Sequence, residues 1–154
     1  MAQAATLGFL FRDDQGIVTR NEWWRGTGIL AGPLALLYAG WSVLSPYANR
    51  GLDERKLIDP LTIATYVYLI VFAFAVLFIA VCFVTLSIKR LRARGLYTGL
   101  AGLMPFTALI AGAAHWLQPR VADSMPYAIV WACDLALLAS LVWCIVELGF
   151  REAP

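Results

Sequence analysis

Asp134 stands inside an apolar stretch, Trp131-Ala-Cys-Asp-Leu-Ala-Leu137, and is the only charged residue between Asp123 and Glu147. An ionised carboxylate is costly at such a position, so it must face other helices or a polar cavity, take a partner, or stay protonated. Two chemistries suit it: a structural hydrogen bond to a neighbouring helix, or a proton or cation site. His115, the only histidine, lies near the end of the preceding apolar stretch. Antiparallel packing of the two stretches would bring it within a turn or two of Asp134, where a His-Asp pair could relay protons. One histidine would also serve as a single axial ligand to a haem, but bis-His ligation is excluded and Met1, Met104 and Met125 have no diagnostic spacing. Glu147 lies closer to the end of its stretch and is expected to extend to the interface.

Other chemistry finds no support in the residue pattern. There is no GxSxG, no HExxH, no phosphate loop, and no second histidine or clustered acids for a metal. Cys82, Cys133 and Cys144 all fall in apolar runs without a CxxC pair, which reads as small buried or lipid-facing side chains. The reading is therefore of a protein that is not an enzyme and has neither cofactor nor metal. A net charge of +2 from dispersed residues also sets nucleic acid aside as a partner.

The elements that would position these residues follow from composition. Apolar residues make up 61% of the 154 and charged residues 14%, with a mean hydropathy of +0.73. Soluble domains carry about 25% charged residues, and here the charges cluster between long uncharged runs, the pattern of membrane spans. The fold class expected is all-α: a polytopic membrane protein, one four-helix transmembrane domain over residues 1–154 with an N-terminal interfacial segment. Residues 1–23 form that lead, expected to lie on the membrane surface with Leu7 to Phe11 as an apolar patch. The spans are expected at about 26–45, 61–88, 96–118 and 126–150. Trp23 and Trp24 open the first in the manner of an aromatic belt, and Pro33 lies inside it. Asp59-Pro60 is a start signal for the second, which at about 42 Å exceeds the hydrocarbon core and must tilt or emerge. Gly95 is expected to stop the run that follows it.

Spans one and three carry small residues four apart: Gly28 and Gly32, Ala35 and Ala39, Gly95 and Gly99, Ala108 and Gly112. Such faces let backbones approach, either within the bundle or against another membrane protein.

Two segments together resemble the YhaH-like family of small bacterial inner-membrane proteins. The first is Gly16-Ile-Val-Thr-Arg-Asn-Glu-Trp-Trp24, where Gly16, Thr19, Arg20, Glu22, Trp23 and Trp24 fit. The second is Lys89-Arg-Leu-Arg-Ala-Arg-Gly95, similar at Lys89, Arg90, Leu91 and Gly95, with Pro105 suitably placed beyond it. Arg92 and Ala93 stand where that family has a His-Asp pair, and Leu96 to Gly99 lack its Ser-Gly-Trp continuation. The resemblance implies a bacterial inner-membrane four-helix protein and brings no activity with it. The residues themselves suggest an interface motif, with Arg20, Lys89, Arg90, Arg92 and Arg94 meeting anionic headgroups at about 1 kcal/mol each. An ion pair of Glu22 with Arg90 or Arg92 is the structural alternative.

The leading expectation is thus a non-catalytic accessory or scaffold subunit that packs against a larger membrane complex or itself. The alternative is a small oligomeric transporter or channel component using Asp134 with His115. Orientation follows from the basic residues. Arg12, Arg20, Arg25, Lys89, Arg90, Arg92, Arg94 and Arg151 fall on one side and Arg50, Arg55, Lys56 and Arg120 on the other, eight of the twelve against four. Cytoplasmic loops collect Lys and Arg, so both termini and the second loop are expected in the cytoplasm. Reporter fusions at the C-terminus and after Gly95 should then report cytoplasm, and fusions within 52–59 or at Ala122 the opposite side. A C-terminus on the outer side would contradict the four-span reading.

Overall fold

The computed structural model describes residues 6–13, 15–48, 59–121 and 125–152. These form five α-helices: α1 (Leu7–Phe11), α2 (Arg20–Ala48), α3 (Pro60–Ala93), α4 (Leu103–Leu117) and α5 (Tyr127–Cys144). No strand occurs among the described residues. Four helical stretches are long and apolar enough to cross a membrane: Arg20–Tyr47, Pro60–Ala93, Thr98–Arg120 and Tyr127–Phe150. The chain is an all-α, multi-pass membrane protein. The charged residues expected in the first loop, at 50–56, and Ala122 in the loop after span three lie outside the described residues.

The chain forms two compact units, Thr27–Phe83, and Met1–Gly26 with Val84–Pro154. Within Thr27–Phe83, the Tyr68 hydroxyl donates to the Leu37 carbonyl at 2.7 Å. Trp41 and Phe72 pack with ring centroids 6.2 Å apart. Pro46, inside α2, offers no N–H to the Ser42 carbonyl, and the Ser45 hydroxyl donates there at 3.4 Å.

Helix boundaries follow local chemistry and shift several of the expected limits. Helix α2 starts at Arg20, so its first turn lies inside the expected surface lead. The cause is a capping box. The Glu22 carboxylate accepts from the Thr19 amide and hydroxyl, each at 2.8 Å, while the Glu22 amide donates to the Thr19 hydroxyl at 3.4 Å. Helix α3 begins as the Asp59-Pro60 signal indicates: the carboxylate of Asp59 accepts from the Leu61 amide at 3.1 Å and from the Thr62 hydroxyl at 2.9 Å. It runs five residues past Ile88 and ends in a Schellman turn, with Leu96 N–H on the Leu91 carbonyl and Gly95 N–H on the Arg92 carbonyl, both at 3.0 Å. Gly95 takes φ +67°, a left-handed conformation that a side chain resists.

Span three is not one α-helix. Thr98–Gly102 is a 3₁₀ helix, then comes α4, then a 3₁₀ turn at Gln118–Arg120. Gly99 and Gly102 are weak helix formers, and Pro105 has no N–H to return to the Ala101 carbonyl, so α geometry sets in only where Pro105 falls in the first turn. Span four changes its winding at the far end, where Ile145–Phe150 widens into a π-helix. There the Arg151 amide bonds the carbonyl of Val146, five residues back, at 3.2 Å.

Three of the glycines on the small-residue faces do not pack within the bundle, the first of the two expectations for them. Among the described residues nothing lies within 4 Å of where a Cβ would stand on Gly28, Gly32 or Gly112, and Gly95 is a turn. Close approach falls on other glycines: a Cβ on Gly149 would meet Trp24 at 2.7 Å, and one on Gly26 would meet Leu86 at 2.7 Å. Spacing alone marks small residues without saying which side of the helix meets a neighbour.

The lead also packs against the rest of its unit. Leu10 and Val18 are each 1% exposed, packed into the unit that contains α4 and α5. Of the expected outward apolar patch, Leu7 is 60% exposed and Phe9 and Phe11 are partly exposed, while Leu10 turns inward.

Candidate functional site

Two polar clusters occupy this unit, roughly 20 Å apart along the fourth span at 1.5 Å per residue. The first gathers at the end of that span. A helix terminus leaves its last carbonyls without intrahelical partners, and the widened turn at 145–150 exposes several. Arg90 serves them from α3. Its Nε donates to the Leu148 carbonyl at 3.0 Å, Nη2 to the Arg151 carbonyl at 2.6 Å, and Nη1 to the Val18 carbonyl of the lead at 3.5 Å. Arg94 Nη1 donates to the Glu147 carbonyl at 2.7 Å, and the indole N–H of Trp24 to the Gly149 carbonyl at 2.9 Å. Positive charge at a helix C-terminus also meets the negative end of its macrodipole.

A buried ion-pair network reinforces this end. Glu147 pairs with Arg94 Nη2 at 3.0 Å, where the two side chains are only 11% and 12% exposed, and with Arg151 Nη1 at 3.1 Å. Lys89 is fully buried, donating to the Phe9 carbonyl with its ammonium 4.5 Å from the centre of the Phe9 ring. These contacts correct three expectations. Lys89 and Arg90, 0% and 2% exposed, do not fan into the headgroup layer, because backbone carbonyls engage them first. Glu147 does not extend to the interface, because two arginines hold it inside. Glu22 bonds Thr19 and not Arg90 or Arg92, because the capping box places its carboxylate over its own helix start. Trp23 leaves the expected aromatic belt as well: it is 1% exposed and meets Trp24 edge to face at 5.1 Å. Arg20, half exposed, pairs with Glu152 at 3.4 Å.

The second cluster is the pair singled out first from the sequence. Helices α4 and α5 pack together, and the Thr107 and Ser140 hydroxyls bond across them at 2.6 Å. Nearer the other end, His115 Nε2 lies 3.0 Å and 3.1 Å from the two carboxylate oxygens of Asp134. The side chains are 61% and 45% exposed, on the outside of the α4–α5 pair. With Asp134 ionised, His115 can donate from Nε2 as either the neutral tautomer or the cation, so the pair can hold or pass one proton. No group of three or more His, Cys, Asp or Glu suited to a metal occurs among the described residues, and Cys82, Cys133 and Cys144 are free thiols.

The structure thus joins His115 to Asp134 and gathers Trp24, Arg90 and Arg94 on one helix end. Sequence reasoning missed Glu147 as the partner of Arg94, Val18 as that of Arg90 and Phe9 as that of Lys89. Two signals were present: Thr19-x-x-Glu22 is a capping box, and Glu147 to Arg151 is an i,i+4 pair. Carbonyl acceptors such as Val18 and Phe9 leave no trace in residue type. Comparison of the chain with known protein families, with curated proteins and with solved structures finds no match in any of the three.

Breaking one side of a buried ion pair strands the other charge, at a cost of about 3–5 kcal/mol. Arg94→Leu and Glu147→Leu should each lower thermal stability in detergent strongly, and the double variant should recover part of that loss. Full additivity in the double-mutant cycle would contradict a coupled buried pair.

Proposed function

We propose that this chain is a non-catalytic accessory or scaffold subunit of a bacterial inner membrane, packing against a larger membrane complex or a second copy of itself, with both termini and the turn at Gly95 in the cytoplasm. The observation that carries the reading is the outward-facing His115–Asp134 pair. Lipid chains offer such a pair no hydrogen-bonding partner, whereas a neighbouring protein helix does. Trp131 and Leu138, three before and four after Asp134, share its helix face and are 69% and 56% exposed. A polar centre within an apolar, aromatic rim is the composition of a protein interface. The buried charges elsewhere support the same view, since they bond the chain to itself.

A common side for both termini and the Gly95 turn is supported by the contacts of Arg90, and its assignment to the cytoplasm by the distribution of basic residues. They bring the lead, the end of α3 and the end of the fourth span to one place, as an even number of crossings between each requires. Membership of the YhaH-like family belongs to the proposal too. Its support is that residues of both motifs organise the same end of the molecule. Thr19 and Glu22 start α2, Trp24 and Arg90 bond the end of the fourth span, and Gly95 turns the chain after α3.

A second reading, an oligomeric proton or cation carrier, is favoured by the His115–Asp134 hydrogen bond itself, which an oligomer axis could enclose. Asp134 separates the two. Asp134→Asn keeps an acceptor and its shape while removing the ionisable group, so assembly should survive it. Asp134→Leu should weaken assembly by about 1 kcal/mol, and the wild type should give no ion flux in liposomes. A wild-type flux abolished by Asp134→Asn, with assembly untouched, would replace the scaffold with the carrier.

A further inference from the structure

A cleft of about 450 Å³ opens beside the arginine cluster, its walls including Ile17, Thr19, Arg20, Asn21, Arg90 and Glu152. Arg90 is the side chain that asks for an occupant. It is 2% exposed, its three acceptors are neutral carbonyls, and one of those bonds is long at 3.5 Å. A guanidinium has five N–H donors, so two remain. Among the described residues no carboxylate oxygen lies within 4 Å of it. A buried cation with no anion in direct contact is an expensive arrangement, and one that an anionic ligand relieves.

The opposite wall points to the same chemistry independently. In the first turn of α2 the capping box uses the Thr19 and Glu22 amides, and the Trp23 amide bonds the Thr19 carbonyl at 3.0 Å. The amides of Arg20 and Asn21 have no acceptor among the described residues, at the positive end of a 29-residue helix. Arg20 adds a half-exposed guanidinium, and the facing anion is Glu152, 79% exposed and 3.4 Å away. Two arginines and a helix start thus face one loosely held carboxylate. Ile17, 66% exposed, adds an apolar rim.

We propose that this cleft binds a phosphate group, with Arg20, Arg90 and the free amides of α2 as donors and Glu152 as a tethered anion that the phosphate displaces. The apolar rim favours an anionic phospholipid as its source over a soluble phosphate compound. This is a defined site, distinct from diffuse attraction of basic residues to a membrane surface, and it holds whether the chain serves as scaffold or carrier.

The test uses the full chain in a neutral detergent, with native mass spectrometry to count retained phosphatidylglycerol or phosphatidylcholine, and inorganic phosphate added as competitor and as a thermal-shift ligand. One phosphatidylglycerol should be retained in preference to phosphatidylcholine and be displaced by phosphate. Arg20→Gln should weaken retention roughly tenfold, and Glu152→Gln should strengthen it. Stabilisation by inorganic phosphate that is lost in Arg20→Gln, without lipid retention, would uphold the phosphate site and overturn its lipid source. Equal retention of both lipids with no response to phosphate would overturn the site. So would phosphatidylglycerol retention unchanged in Arg20→Gln. Should Arg20→Gln fail to fold, Glu152→Gln decides, and unchanged retention there also overturns the proposal.

Discussion

A helix that ends at the border of a membrane presents carbonyls that its own amides no longer reach, and a neighbour must supply the donors where water is excluded. In this chain the neighbour is Arg90. Its guanidinium joins the carbonyls of Leu148 and Arg151 to that of Val18, tying together three segments far apart in sequence. The fork of donors is rigid, so the three carbonyls must come to it in one geometry. The π-helical widening at Ile145–Phe150 sits where that demand falls, and Arg94 and Trp24 take the carbonyls of Glu147 and Gly149 beside it.

Several features of the unit follow from that geometry. The lead docks because its carbonyls at Phe9 and Val18 are acceptors for Lys89 and Arg90, and Leu10 and Val18 then bury their side chains. Glu147 brings negative charge between Arg94 and Arg151, which would otherwise repel one another in a low dielectric. Gly149 keeps its side free because Trp24 passes over it at a distance a Cβ would obstruct. Positive charge still exceeds negative on the wall shared with Arg20, and there the cleft opens.

Much of the fold was legible in the sequence, and the illegible part has a common cause. Long apolar runs declare spans because the bilayer imposes length and composition, and Asp59-Pro60 and Gly95 act through their own backbones, so all three read directly. The His115–Asp134 contact was legible as a possibility, since two isolated polar residues on antiparallel neighbours have few alternatives. Lys89 and Arg90 were not: residue type suggests a solvated basic cluster, whereas tertiary contacts with anonymous carbonyls bury them. Gly28, Gly32 and Gly112 show the complementary limit, because small size permits close packing within the bundle without requiring it.

The most direct test of this account is amide hydrogen exchange on the wild type and Arg90→Leu in detergent, read by peptide. Removing the guanidinium leaves carbonyls in the lead and at the end of the fourth span without donors, at a cost on the order of 1–3 kcal/mol for each buried group. Residues 15–23 and 145–151 should therefore lose protection together, while the Thr107–Ser140 contact region of α4 and α5 keeps its own. Protection unchanged in both segments, or lost in one while the other stays closed, would contradict the claim that Arg90 ties these segments together.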